Sequence, residues 1–136
     1  MNDKLFFDTN VLVYCYTDTE PDKKNIAVSL AQSPEAWVST QVLQELSNTL
    51  RKKFTKDWKE VAATIEEVCK NFIVFTNEPS TLLDAVQIAN RYGYSLYDCL
   101  IISSALTAGC SILYSEDMQH GQLIDEKLKI INPFLP

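Results

Sequence analysis

The chain has 136 residues, of which 46% are hydrophobic and 22% charged, and its net charge is −6 at pH 7. These values predict one folded domain over residues 1–136 and exclude an intrinsically disordered chain. No apolar stretch approaches the roughly 20 residues that a membrane-spanning helix needs, and Met1–Lys4 does not resemble the start of a signal peptide. We therefore expect a cytoplasmic protein that does not bind membranes.

The charge and the cysteines restrict the chemistry without deciding it. An acidic chain is, by itself, poorly suited to bind a phosphate backbone. That objection weakens if several of the acids surround a metal ion, which would supply positive charge. The four cysteines form no C-x-x-C pair and have apolar neighbours, so we expect buried free thiols in place of disulfides or a zinc site.

In the first half of the chain, apolar runs alternate with amphipathic segments. Leu5–Phe7 predicts a strand, and residues 22–31 predict a helix with Thr19 as a candidate cap. Residues 36–38 predict a second strand. Residues 41–53 predict a helix, because their leucines and valine fall on one helical face.

The same alternation continues to the end of the chain. Residues 58–69 predict a helix that opens with Asp57 and Glu60 at capping-box spacing. The remaining predicted elements are strands at 72–75, 110–114 and 129–131 and helices at 80–92 and 95–108. This order predicts an α/β fold with a mainly parallel sheet of four to five strands flanked by helices. Ligands of such folds bind beyond the carboxyl ends of the strands.

Four acids fall at positions that this fold brings toward one edge of the sheet. Asp8 follows the first strand and Asp117 follows the fourth, although each would also be an ordinary turn residue or helix cap. Glu45 borders the apolar stripe of its helix, although it could reach solvent or pair with a basic residue. Asp98 lies three residues after Ser95, and a capping box would explain it without any function.

Taken together, the four carboxylates predict a metal site. Several carboxylates within a few ångströms cannot all stay ionised unless a cation joins them. Oxygen ligands without His or Cys favour Mg²⁺ or Mn²⁺ over zinc. Such an ion suits phosphate chemistry, because it can hold a phosphate oxygen and acidify a water molecule.

Four segments, in this order along the chain, resemble the motifs of PIN-domain nucleases. They are residues 7–14 (FDTNVLVY), 39–45 (STQVLQE), 97–101 (YDCLI) and 113–121 (LYSEDMQHG). The resemblance covers essentially the whole chain and is closest to the VapC-type toxins of bacterial toxin–antitoxin pairs. It implies a single PIN-like (Rossmann-like) domain, metal-dependent endonucleolytic cleavage of RNA, a homodimer, and neutralisation by a small DNA-binding antitoxin.

The resemblance also implies a role for each matching acid. Asp8 and Asp98 would be the principal metal ligands, and Asp117 would complete the acidic cluster. Glu45 would reach the metal through water or help to position the attacking water. Water would then attack the scissile phosphate in line, leaving a 5′-phosphate and a 3′-hydroxyl.

Neighbours of these acids are implied as supporting residues. Asn10 and Ser115 would provide hydrogen bonds to the site. Glu116 is adjacent to Asp117, so its participation stays open, although the spacing after the fourth strand favours Asp117.

One basic cluster is a candidate for binding RNA. Its cations include Arg51, Lys52, Lys53 and Lys56, with Phe54 and Trp58 interleaved; such a mixture could grip a backbone and stack on a base. The alternative is a solvated helix end, where cations interact favourably with the helix dipole. The sequence alone favours this alternative.

Three other functions compete with a toxin-type ribonuclease. The first is a PIN nuclease of RNA processing, which would share the same site. The second is a silent RNA- or protein-binding module, which would keep the fold without binding metal; the presence of all four acids argues against it. The third is a phosphotransfer receiver, which needs a strand-end lysine near its acceptor aspartate, and the chain offers no such lysine.

Overall fold

A computed structural model describes residues 3–136 of the chain. The first two residues, which begin both the Met1–Lys4 segment and the predicted domain span, lie outside the described part. Within it, the strands are β1 (Leu5–Phe7), β2 (Ala36–Ser39), β3 (Ile73–Phe75), β4 (Ile112–Tyr114), β5 (Leu123–Ile124) and β6 (Leu128–Ile131). They form one sheet in the order β3-β2-β1-β4-β6-β5, parallel throughout except between β5 and β6. The mainly parallel α/β fold is thus confirmed.

The sheet has six strands in the described residues, and not the four to five predicted. The additional strand is β5, which has only two residues and pairs antiparallel with β6. So short a strand shows no alternating pattern over the four or more residues that a sequence-based prediction needs.

The helices are α1 (Thr9–Leu12), α2 (Pro21–Leu30), α3 (Thr40–Lys52), α4 (Trp58–Asn71), α5 (Pro79–Tyr92) and α6 (Leu96–Thr107). The last five lie where the sequence predicts them, to within two residues at each end. The short α1 and the 3₁₀ turn that continues it, Val13–Tyr16, were not predicted. They form because the Asp8 carboxylate accepts a hydrogen bond from the first amide of α1 and ends β1 there.

The capping residues predicted for the start of α4 are correct, and the one predicted for the start of α2 is wrong. Asp57 and Glu60 form both bonds of the capping box of α4. Gly93 ends α5 with φ at +78°, a conformation that other residues adopt only under strain. Thr19 does not cap α2, because Pro21 takes the first helical position and so makes Glu20 the cap residue.

The position of β1 determines where the site lies. This strand is buried and lies between β2 and β4, and Phe7 is in register with Tyr114 of β4. The Asp8 amide extends this pairing by donating to the Tyr114 carbonyl at 3.0 Å. The loops that follow β1 and β4 therefore leave the same edge of the sheet side by side.

The cysteines were expected to be free and buried, and the structure agrees in part. The four cysteines are free, and Cys99 and Cys110 are buried as expected. Cys15 is only half-buried and Cys69 is exposed, so the expectation of burial is wrong for these two. Among residues 3–136, no helix is both long and apolar enough to cross a membrane.

Candidate active site

Asp8 is the most enclosed acid of the predicted set, with 7% of its surface exposed. Its Oδ1 accepts from the Thr9 amide at 2.7 Å and its Oδ2 from the Ser115 hydroxyl at 2.9 Å. Ser115 follows β4 and is fully buried. A serine there holds the carboxylate in one orientation.

Asn10 joins the two loops at the sheet edge. Its Nδ2 donates to Asp117 Oδ2 at 3.0 Å and approaches Asp8 Oδ2 at 3.5 Å. Its Oδ1 accepts from the Glu116 amide at 3.1 Å. One side chain therefore fixes the distance between the first and the fourth acid.

Glu45 reaches the same site from α3. Its Oε1 accepts from the Thr9 hydroxyl at 2.7 Å, and its Oε2 lies 3.5 Å from Gln41 Nε2. Gln41 also donates to the Tyr97 carbonyl at 3.1 Å. The carboxylate of Glu45 is thus tied to the loop after β1 on one side and, through Gln41, to the start of α6 on the other.

Asp98 lies in the first turn of α6. The Ser95 hydroxyl caps this helix by accepting from the Asp98 amide at 3.2 Å. The return bond of a full capping box, from the Asp98 carboxylate to the Ser95 amide, is not formed within residues 3–136. Asp98 is half-buried, and its side chain lines the same cavity as the other three acids.

The four acids share one open cavity of about 810 Å³. Burial raises the pKa of Asp8 to about 7, against the hydrogen bonds from Ser115 and Thr9, and the charges of Glu45 and Asp98 add to the rise. Burial also raises the pKa of Asp98, with a contribution from Asp117. The carboxylates therefore repel one another across the cavity.

A hard divalent cation fits this arrangement. None of the ion pairs in the described residues includes any of the four acids, so protein cations do not neutralise their charge. No three His, Cys, Asp or Glu side chains of residues 3–136 are close enough together to hold an ion by themselves. An ion would therefore also need oxygens of water or substrate, and Mg²⁺ is usually held by one or two carboxylates with just such ligands.

Glu116 is occupied by a different set of contacts. Its carboxylate pairs with Lys23 of α2 and accepts from the Tyr14 hydroxyl at 2.8 Å. Lys23 lies over the rings of Tyr14 and Phe134. Glu116 lines the cavity but is already paired with a cation, so Asp117 is the better candidate of the two adjacent acids.

The basic cluster does not enter the cavity as a unit. Lys53 lines the cavity together with Phe54. Arg51 instead donates to the Lys56 carbonyl at 3.3 Å and lies over the ring of Trp58. Lys56 lies 3.7 Å from Glu60 in an exposed ion pair. Of the four candidate RNA-binding cations, Lys53 is thus the one that reaches the site.

Sequence reasoning missed two residues of the site, Thr9 and Gln41. Thr9 lies between Asp8 and Asn10, and nothing in the strand pattern suggested that its hydroxyl would turn toward α3. Gln41 precedes Glu45 by four residues, which places both on one helical face. That spacing was the signal that could have identified Gln41.

The fold resembles solved bacterial toxin structures. It matches a toxin–antitoxin complex from Klebsiella pneumoniae at 17% identity and a TM-score of 0.72, over 96% of this chain and 98% of that one. It matches the sarcin–ricin loop cleaving toxin VapC20 of Mycobacterium tuberculosis at 20% identity and 0.68, over 83% and 89%. It also matches the DNA-bound VapBC complex from Salmonella typhimurium at 18% identity and 0.67, over 95% and 97%.

The sequence itself identifies the family. No curated protein matches the chain. The model of the PIN domain family matches residues 5–123, which contain β1 to the start of β5 and all four acids. Its match over most of the chain, together with the fold, means that the protein belongs to the PIN-domain family.

Proposed function

We propose that the chain is a Mg²⁺- or Mn²⁺-dependent endoribonuclease whose site consists of Asp8, Glu45, Asp98 and Asp117. The observation that carries the proposal is the cavity at the sheet edge, where these carboxylates face one another and none of them forms an ion pair within the described residues. Asp8 and Asp98 are the proposed principal ligands, Asp117 is proposed to complete the acidic cluster beside them, and Glu45 is proposed to act through water. A bound ion would supply positive charge, hold a phosphate oxygen and acidify water.

The chain's own residues would prepare the site for this chemistry. Ser115 and Asn10 fix the orientation of Asp8 and its separation from Asp117. Thr9 holds one oxygen of Glu45 at 2.7 Å, and Gln41 contacts the other only at 3.5 Å, so this second oxygen is the one proposed to orient a water or to accept its proton. Hydrolysis by water requires no covalent enzyme intermediate.

Cleavage should depend on both the metal and the acids. With a mixed cellular RNA pool, we expect discrete products in Mg²⁺ or Mn²⁺ and none in EDTA. The Asp117→Asn variant should lose most of this activity, because it removes a carboxylate but keeps an oxygen that Asn10 can bond. Gel or sequencing analysis of the products would also show whether their ends are 5′-phosphate and 3′-hydroxyl. Products that persist in EDTA would contradict the proposed chemistry.

The hydroxyl of Thr9 should matter to the reaction more than to the fold. Thr9→Val keeps the shape of the side chain but removes the bond to Glu45. Outer hydrogen-bond partners of metal sites typically contribute about 10- to 100-fold, so we expect kcat to fall by about tenfold with little change in KM. Thr9→Ser should restore kcat, since it keeps the hydroxyl. Equal rates for the Val and Ser variants would show that the hydroxyl has no such role.

We further propose that the protein is the toxin of a toxin–antitoxin pair, with a small DNA-binding antitoxin as partner and a homodimer as the working form. The support is the likeness of fold to proteins that were solved as toxin–antitoxin or VapBC complexes. A PIN nuclease of RNA processing would share the site but not the partner. A short co-transcribed reading frame whose product blocks cleavage would support the toxin assignment, and its absence would favour RNA processing.

A further inference from the structure

The cavity is strongly acidic. Its lining contains six carboxylates, from Asp8, Glu20, Glu45, Asp98, Glu116 and Asp117, and one lysine, Lys53. An RNA strand is a polyanion, and its binding depends strongly on cationic contacts to phosphates. A metal ion at the four acids would neutralise charge at one end only. The position of Lys53 is therefore informative about the path of the strand.

Lys53 lines the cavity and, unlike the side chains of Arg51 and Lys56, is not held by a hydrogen bond or an ion pair within residues 3–136. Within the described chain it forms no ion pair, and its Nζ lies 5.6 Å from the centre of the Phe54 ring. Arg51 and Lys56 are engaged in contacts within the turn and α4. Lys52 is exposed but does not line the cavity. The Lys53 ammonium group lies over the Phe54 ring but is paired with no carboxylate of the described residues, so it is available to a phosphate.

The turn that carries Phe54 has a strained but defined backbone. Thr55 has φ at +53°, a left-handed conformation that is unfavourable for a β-branched residue. The turn is held in place by the Lys56 amide, which donates to the Leu50 carbonyl at 3.1 Å, and by Arg51, which donates to the Lys56 carbonyl. Phe54 is half-buried and lines the cavity beside Lys53. Backbone strain of this kind persists where the surrounding structure enforces it, often at ligand sites.

We propose that Lys53 and Phe54 form the strand-binding wall of the cavity. Lys53 pairs with a phosphate near the scissile one, and Phe54 stacks on an unpaired base of the same strand. A base inside a helix is stacked on both faces and is not available to an aromatic side chain, so the substrate is single-stranded at this position. This inference rests on the proposed ribonuclease function and names two residues that would hold the RNA strand beside the same site.

Binding should be measured by fluorescence anisotropy of a labelled single-stranded oligoribonucleotide with Mg²⁺ present. All variants are made in the Asp8→Asn background, so that the RNA is not consumed. Lys53→Gln should weaken binding roughly threefold to tenfold and lower the salt dependence by about 0.7, the value for one phosphate contact on a single strand. Lys127→Gln, which makes the same charge change at an exposed position in the turn between β5 and β6, is the matched control and should change neither.

The aromatic contact should have a different signature. Phe54→Leu should weaken binding about tenfold, since it removes the stacking of a base on the aromatic ring, and should leave the salt dependence unchanged. Thermal melting checks that the substitution, at a residue that also packs on the core, leaves the protein folded. A fully paired RNA duplex should compete poorly with the single strand.

The outcomes separate the inference from the function on which it rests. If Lys52→Gln is as damaging as Lys53→Gln, or if Phe54→Leu binds as its parent does, the wall is elsewhere and the inference is overturned. The nuclease proposal stands in that case, provided that the wild type still cleaves RNA in Mg²⁺. If the wild type neither binds nor cleaves single-stranded RNA, the proposed function itself fails. In active protein, Lys53→Gln should raise KM while leaving kcat nearly unchanged, because a contact to a phosphate beside the scissile one is made equally before and during the reaction.

Discussion

An Asp8→Asn variant should lose more than about 100-fold of the metal-dependent cleavage and yet, in a chelating buffer, resist unfolding better than the wild type. The loss of activity should exceed the 10- to 100-fold typical of outer partners of a metal site, because Asp8 is a proposed ligand. The gain in stability follows from burial. Asp8 is 7% exposed, and its folded environment raises its pKa from 3.8 to about 7, so its charged form is unfavourable in the metal-free protein.

The sign of the pH dependence follows from this shift. Between about pH 4 and pH 7 the folded protein holds a proton that the unfolded chain releases, so metal-free wild type should lose stability as the pH rises through this window. Asn does not titrate. The free energy of unfolding of the variant should therefore equal that of the wild type near pH 4 and exceed it by about 1–3 kcal/mol near pH 8. Urea unfolding of both proteins in EDTA at the two pH values measures this difference.

Adding Mg²⁺ should reverse the order of the two proteins. A ligand that binds only the folded state stabilises it by an amount that grows with its concentration relative to Kd. The wild type should therefore gain stability from Mg²⁺, and the variant should gain much less. An equal gain in both would show that Asp8 does not bind the ion, and equal stability in EDTA near pH 8 would show that its buried charge is well tolerated.

The half of the site that lies at strand ends could be predicted from the sequence. Asp8 and Asp117 directly or nearly follow apolar runs, and parallel strands that are neighbours must bring their carboxyl ends together. That β1 and β4 are neighbours is a matter of topology, which the local pattern does not contain. The sequence also placed Glu45 and Asp98 near the starts of helices. Each had a purely structural explanation, as a solvated acid for Glu45 and as a helix cap for Asp98. Only the occurrence of four motifs in order favoured a functional role over these explanations.

The contacts that orient the acids were beyond sequence reasoning. The side chain of Thr9 contacts Glu45 across 36 positions of sequence. That contact depends on α1, a helix of one turn that the sequence did not predict. The place of Lys53 on the cavity wall was equally beyond sequence reasoning. Lys53 lies in a row of cations, and that row predicted a solvated helix end. Only the packing of α3 against the sheet places Lys53 on the cavity wall and leaves Lys52 off it.

Truncating Leu46 to Ala should have the largest effect on stability of any single change near the site. Leu46 is fully buried on α3, directly after Glu45. Leu→Ala substitutions at such positions lower the free energy of unfolding by about 2–5 kcal/mol, through lost burial and the cavity that remains. Ala has the higher helix propensity of the two, so any loss comes from packing and not from the helix itself. Against a total of about 5–15 kcal/mol, this is a large fraction.

A matched leucine provides the control for that measurement. Leu135 is 51% exposed near the end of the described chain, and its change to Ala should lower stability by less than about 1 kcal/mol. Leu46→Met keeps the volume and should lose less than about 1.5 kcal/mol. Urea unfolding of the three variants in EDTA compares them under one condition. Because Leu46 holds the helix that carries Glu45 and has Lys53 as its C-cap, the Ala variant should also bind Mg²⁺ and RNA more weakly at temperatures where it is still folded. If its stability matched that of Leu135→Ala, α3 would not be anchored to the sheet by its apolar stripe, and the position of Glu45 in the cavity would need another cause.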